Sequence, residues 1–210
     1  MEKKFKPEDV LFWIAAVFPF VLSAAFYGRL PEKVATHFNG YGVPDGYSSR
    51  AFAAFGLPAI FLGCLFLVVF AMRFDPKYKN LGNKVPRLIP WFLAVFFIVI
   101  QSVIIGFALN AAFNVTAAIH LMVGILFIVI GNYLPKTKQN YTVGIKLPWT
   151  LESTENWNRT HRIGGFVWVI GGALMIVLGL LGRMDLFFAV LIVMVGVPFA
   201  YSFYLYRKGI

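Results

Sequence analysis

The chain is 210 residues long, 60% of them apolar and 13% charged, with a net charge of +10 and a mean hydropathy of +0.76. A water-soluble domain carries about 25% charged residues, so this composition excludes one. It also excludes a disordered chain and a basic nucleic-acid-binding domain, because the charges fall in a few stretches between long apolar runs. The single cysteine, Cys64, lies inside an apolar run, which rules out an internal disulfide framework and a multi-cysteine metal centre. No cofactor or metal is expected.

A bilayer core takes about 20 mostly apolar residues per helix, and six stretches meet that length: 10–27, 51–72, 89–109, 115–134, 163–182 and 186–206. None contains Asp, Glu, Lys or Arg. A signal peptide is the competing reading of the first, with Lys3, Lys4 and Lys6 as its basic region and Ser23, Ala24 and Ala25 as a cleavage site. The apolar run is long for that role and is read as a span. Pro19, Pro58 and Pro198 fall within spans, where each removes a helix hydrogen bond and predicts a kink.

The loop after the first span, residues 28–50, is dense in turn signals: Asn39 with Gly40, and Pro44 with Asp45 and Gly46. Phe38, Tyr41 and Tyr47 are interleaved with them. The pattern predicts a compact cap folded back on the helix ends, with His37, Asn39, Asp45 and Tyr47 as candidate binding residues. His37 reads either as a ligand or proton acceptor, or as a partner in a structural hydrogen bond.

Inside the spans the polar candidates are Gln101 and His120, the latter about five residues into its helix. His120 either faces a wet vestibule and titrates, or pairs with Gln101, Asn110 or Asn114.

The segment 132–165 is the second loop richer than a connector needs. It holds Asn132, Pro135, Asn140, Lys146, Pro148, Trp149 and Thr150. After Pro148 a helix start is predicted, capped by Thr150 or Ser153, with Glu152 and Glu155 near its unpaired amides. A short amphipathic helix follows, with Trp157 and His161 on one face, and Asn156, Arg159 and Arg162 able to point to water or headgroups. Thr160 belongs to the same run. Trp149 and Trp157 suit an interfacial helix whose indoles mark headgroup depth. Gly164 and Gly165 allow a bend or close packing on re-entry to the membrane.

Fifteen of the 19 Lys and Arg fall on one side of this layout: the tail, the loops after the second and fourth spans, and the end. Only Arg29, Lys33, Arg50 and Arg183 fall on the other. Because cytoplasmic loops retain excess positive charge, both termini are expected in the cytoplasm, with loop 28–50 outside and loop 135–162 inside. The basic face either binds anionic lipid or docks an acidic soluble partner. The predicted fold is an all-α integral membrane protein, a six-helix transmembrane bundle forming one membrane domain over 1–210.

The run Leu30–Tyr47, with Leu-Pro, His-x-Asn and Gly-x-Pro-Asp-Gly, resembles an N-terminal module of uncharacterised bacterial membrane proteins. It sets an N-terminal module over 10–72. The run from Gly131 to Gly165 reads Gly-Asn-Tyr-Leu-Pro-Lys, Asn-Tyr, Gly-Ile-Lys, Pro-Trp-Thr-Leu, Trp-x-x-x-His-Arg and Gly-Gly. It is similar to the SdpI family and sets a C-terminal module over 115–206. The resemblance implies a multipass protein of the bacterial plasma membrane that gives immunity to a secreted, membrane-active peptide toxin. It also implies signalling, by holding a cytoplasmic transcriptional repressor at the membrane. Lys146 and Leu147 stand where the family pattern has Arg and Thr, so a role needing a planar guanidinium there is not carried over.

Two rival classes are weighed against this. A transporter built of inverted three-helix halves finds an echo in Tyr27-Gly28-Arg29-Leu30-Pro31 and Gly131-Asn132-Tyr133-Leu134-Pro135, but the spans offer few ionisable groups at mid-membrane. An enzyme lacks its parts: no zinc-binding His pair, phosphate loop, nucleophile elbow or intramembrane carboxylate pair is present.

Overall fold

The computed structural model describes residues 7–39, 41–82, 84–109 and 114–210. Lys3, Lys4, Lys6, Gly40 and Asn110 lie outside the described residues. Six helices are long and apolar enough to cross a bilayer: α1 (Pro7–Phe26), α2 (Leu57–Arg73), α3 (Val85–Ala108), α4 (Val115–Tyr133), α6 (Thr154–Leu180) and α7 (Phe187–Arg207). A five-residue α5 (Pro148–Glu152) precedes α6, and a hairpin, β1 (Lys33–Phe38) with β2 (Pro44–Ser49), fills the loop between α1 and α2. The chain is thus a multipass helical membrane protein with one small β element. It divides into two compact units, one of residues up to Phe70 with Arg87–Val115, the other of Ala71–Pro86 with Thr116–Ile210.

In the first unit the hairpin is seated by Leu30 and Val34, which pack with Ala53, Ala54, Ile104 and Ile105. Phe38 adds an edge-on contact with Phe107, centroids 5.0 Å apart. Deeper along the helices Ala16, Leu65 and Ala94 form a second buried cluster, small residues allowing close approach.

Pro58 does not simply kink its helix. A π-helical turn, Phe52–Gly56, leads into α2, and Leu57 N–H bonds to Phe52 O five residues back. In that register the next donor would be Pro58, which has none, leaving Ala53 O without its helical partner. Gln101 Nε2 donates to this carbonyl at 2.9 Å and to Ser23 Oγ at 2.8 Å, and Ser23 Oγ donates to Pro19 O at 2.8 Å. One amide therefore ties α1, the π turn and α3 together, away from lipid.

The second unit repeats the device. Pro198 of α7 removes the donor that Met194 O would have used, and Trp168 Nε1 on α6 supplies it at 2.8 Å.

The α4–α6 contact is an antiparallel glycine seam. Gly124 faces Gly172 and Gly131 faces Gly165; a Cβ added at Gly172 would lie 2.5 Å from Gly124 O, and one at Gly165 would lie 2.6 Å from Gly131 O. One further seven-residue step along α6, Gly179 makes room for His120. The period of seven keeps the seam facing its partner along the helices.

This seam explains a departure from the sequence reading. The amphipathic segment and the fifth span are one unbroken helix, Thr154–Leu180, which runs through Gly164 and Gly165. Both glycines serve close packing, Gly164 against Ile145 and Leu134, Gly165 against Gly131 and Pro135. Ser153 is the N-cap, its Oγ accepting from Asn156 N–H at 3.1 Å.

Gln101 and His120, read as candidate partners of each other, bond elsewhere: Gln101 to Ser23 and Ala53, His120 within its own helix. His120 Nδ1 bonds to Thr116 O at 2.9 Å, and its ring meets Phe187 edge-on. Gln101 Oε1 and His120 Nε2 are the two buried side-chain atoms without a hydrogen-bond partner among the described residues.

Candidate functional site

The hairpin is closed by Asn39. Its Oδ1 accepts from Tyr41 N–H at 2.9 Å and Val43 N–H at 3.1 Å, while Asn39 N–H donates to Val43 O at 2.9 Å. Gly42 supplies the positive φ, +74°, that this tip needs. The turn therefore lies at 39–43, and Pro44-Asp45-Gly46, read from sequence as a second turn, is instead the start of β2. Proline is tolerated at a strand's first position, and Gly46 sits opposite His37 where the register slips. A Cβ at Gly46 would lie 2.8 Å from His37 Cβ.

This close approach brings His37 Nδ1 within 2.5 Å of Asp45 Oδ1, with side-chain exposures of 74% and 44%. Tyr47 and Tyr41 are exposed beside them. Of the aromatics expected to lie against the helices, Phe38 does so, while Tyr41 and Tyr47 are largely exposed.

The segment between α4 and α6 is built in the opposite manner. Its stretch 138–147 has neither helix nor strand, so side chains must satisfy its amides. Asn140 does much of this: Oδ1 accepts from Thr142 N–H and Val143 N–H, and Nδ2 donates to Lys138 O and Val143 O, all between 2.6 and 2.9 Å. Asp75, just beyond α2, clasps the same loop. Its Oδ2 accepts from Tyr141 N–H at 2.9 Å and Thr142 Oγ1 at 2.6 Å, and its Oδ1 accepts from Lys77 N–H at 2.7 Å. Burial pushes the Asp75 pKa up, but the Thr142 hydroxyl and the surrounding backbone amides outweigh it, holding the carboxyl below its ordinary value. Gln139 adds a strut, its Nε2 donating to Thr150 O at 2.9 Å and Leu151 O at 2.8 Å.

At Gly144 the backbone takes φ +132°, and any side chain would collide with His161 and Trp157. Here Ile145 N–H donates to His161 Nε2 at 3.0 Å, and His161 Nδ1 donates to Trp157 O at 2.7 Å. Accepting at Nε2 fixes the neutral tautomer protonated at Nδ1. The Trp157 and His161 rings stack 3.9 Å apart, and Trp157 Nε1 donates to Thr137 O at 2.8 Å. Thr150 Oγ1 accepts from Leu147 N–H at 2.8 Å and lies 2.9 Å from Ile145 O.

A further network fastens α7. Asn156 Oδ1 accepts from Thr160 Oγ1 at 3.0 Å and Ser202 Oγ at 2.9 Å; its Nδ2 donates to Ser202 O and Ile210 O. Trp149 Nε1 donates to Ser202 Oγ at 2.7 Å, and its ring stacks on Tyr206. Two expectations are corrected here. Asn156 is fully buried, because it serves three elements at once, and so does not face water; Trp157 is fully buried and marks no headgroup depth.

The structure thus brings together Asn140, Trp149, Thr150, Trp157, Thr160 and His161, with Lys146 at their margin. Asn132 and Arg162 are exposed, Pro135 packs on Gly165, and Pro148 opens α5. His120 lies towards the start of α4, away from this cluster. Sequence reasoning missed Asp75, Gln139, Thr142 and Ser202. Asp75 carried a signal, being the lone acid among the basic residues of 71–86 and followed by Pro76; Ser202, inside an apolar span, carried none. Among the described residues no group of three His, Cys, Asp or Glu side chains is placed to hold a metal.

The profile of the SdpI/YfhL protein family matches residues 136–202, which contain the motif loop and most of α6 and α7. A domain of unknown function (DUF1648) matches residues 14–62, which contain the hairpin and the π turn. The chain is therefore similar to the SdpI family over its motif loop and last two helices. Immunity protein SdpI of Bacillus subtilis (strain 168) is 24% identical over 171 residues, covering 81% of each chain. No solved structure matches.

Proposed function

We propose that this SdpI-like protein confers immunity to a secreted, membrane-active peptide toxin from within the bacterial plasma membrane, without catalysis. The observation that carries the reading is the similarity to an immunity protein along four-fifths of both chains. The hairpin supports it: His37, Asp45, Tyr41 and Tyr47 are presented to solvent by a rigid turn, as a recognition surface requires. In this reading the hairpin meets the toxin outside, and both termini and the motif loop are cytoplasmic. The motif loop then displays a surface to a transcriptional repressor, supported by its fixed, non-repetitive backbone.

The test is expression in a toxin-sensitive bacterium challenged with membrane-active peptide toxins. Wild type is expected to protect, and His37→Ala with Tyr47→Ala is expected to lose protection at unchanged membrane abundance. Absence of protection against every toxin tried would move the assignment to the transporter class, for which solute flux in proteoliposomes is the readout. Labelling of a cysteine placed at residue 45 from outside, and at residue 155 from inside, checks the orientation.

A further inference from the structure

Two lysines are held on the motif loop by neutral groups. Lys146 Nζ donates to Tyr141 O at 3.1 Å and Thr142 O at 3.0 Å. Lys77 Nζ donates to Gln139 Oε1 at 2.8 Å and lies 5.1 Å from the centroid of the Tyr141 ring. Among the described residues no carboxylate forms an ion pair with either ammonium group. Asp75, the acid built into the loop, has its oxygens occupied by Lys77 N–H, Tyr141 N–H and Thr142 Oγ1.

Both cations are set on the Tyr141–Thr142 segment, and each keeps an unused N–H, since an ammonium has three donors. An anion with several acceptor oxygens can take up such donors, and phosphate is such an anion. The surroundings select its source. Lys77 lies just beyond α2, and Tyr141 is exposed. At the same end of this unit Lys136 lies 5.1 Å from the Tyr133 ring and Lys208 lies 4.7 Å from the Tyr204 ring, beyond α4 and α7. Ammonium groups resting on tyrosines at the ends of membrane helices sit at headgroup depth.

We propose that Lys77 and Lys146, set on the Tyr141–Thr142 segment, bind the phosphate of an anionic phospholipid headgroup and fix the motif loop to the membrane surface. The site is independent of the toxin reading.

The experiment uses the full chain in nanodiscs of phosphatidylglycerol or phosphatidylcholine, read by native mass spectrometry of retained lipid and by thermal unfolding. Phosphatidylglycerol should be retained and should raise Tm over phosphatidylcholine. Lys77→Gln with Lys146→Gln should lower retention about thirtyfold, the effect of removing roughly 1 kcal/mol per lysine, and abolish the Tm difference. Lys77→Arg with Lys146→Arg should keep both, and Lys84→Gln, at an exposed position in the same basic stretch, should change neither. The arginine pair secures the comparison if the glutamine pair does not purify, because lipid preference lost in a folded arginine variant counts against the site. Equal retention by the glutamine pair, an equal Tm gain from inorganic phosphate, or a preference for a polyglutamate peptide over the lipid would each overturn the proposal.

Discussion

The hairpin and the motif loop share a vocabulary of His, Asn, Thr, aromatic rings and glycines, yet they use it in opposite directions. In the hairpin, strands satisfy most of the backbone, and His37, Asp45 and Tyr47 are left facing outward. In the motif loop no strand forms, and Asn140, Thr150, Asn156, Thr160 and His161 are spent on backbone and on one another, each 1% exposed or less. The lesson is that a polar, aromatic loop is not by itself a recognition loop. One of these displays side chains; the other uses them to shape a backbone surface.

The sharpest way to break that contrast is to remove a side chain from each. Trp157→Ala deletes a fully buried ring together with the donor to Thr137 O, and a loss of about 4 kcal/mol is expected. Tyr47→Ala should stay within about 0.5 kcal/mol. Thermal and denaturant unfolding in a fixed detergent gives both values; comparable losses would mean that the hairpin is as structural as the loop.

The Asp75 clasp comes next. Asp75→Ala strands Tyr141 N–H, the Thr142 hydroxyl and Lys77 N–H, and about 2–3 kcal/mol should be lost, with faster amide exchange at 140–143. The clasp also carries a pH signature. Folded Asp75 holds a proton less readily than it does in the unfolded chain, so its contribution is complete above the ordinary carboxylate pKa of about 4 and is lost as pH falls through the lower folded value. Exchange at 140–143 should therefore rise on acidification in wild type and should not do so in Asp75→Asn.

A third pair treats the two units alike. Trp168→Phe orphans Met194 O, which Pro198 cannot serve, and should cost about 1–2 kcal/mol. Gln101→Leu orphans Ala53 O in the same way but also removes the unpartnered Oε1. Its cost should therefore be the smaller of the two. A larger cost for Gln101→Leu would show that Oε1 has a partner, such as ordered water.

These residues also mark how far the sequence could be read. The apolar runs showed all six spans, because lipid leaves a helix few alternatives. The density of turn residues marked both loops, and the His37–Asp45 contact was one of the two roles read for His37. What stayed hidden was pairing over long sequence separation. Gln101 and Ala53 are 48 residues apart and Asp75 and Thr142 67 apart, and no local pattern indicates that one completes the other. The burial of Asn156 was misread for a related reason. On an isolated amphipathic helix it lies on the polar side, and only the docking of Ser202 from α7 turns that side into an interior.

The smallest stability effect belongs to His37→Ala. The ring is largely exposed, and its partner Asp45, at 2.5 Å, is itself partly open to solvent. An exposed pair contributes little because water and salt screen it, while the hairpin keeps its Asn39-capped tip and its anchor at Leu30, Val34 and Phe38. Unfolding should therefore be unchanged within about 0.5 kcal/mol. If the hairpin is a display element, protection in the toxin challenge should nevertheless fall, and Asp45→Asn should act with it, since the two groups share one contact. Asn39→Ala offers the complementary case: it frees the tip amides of Tyr41 and Val43, costing about 1 kcal/mol while leaving His37 and Asp45 in place. Protection that tracks Asn39 but not His37 would make the hairpin's shape, rather than its exposed side chains, the feature that is recognised.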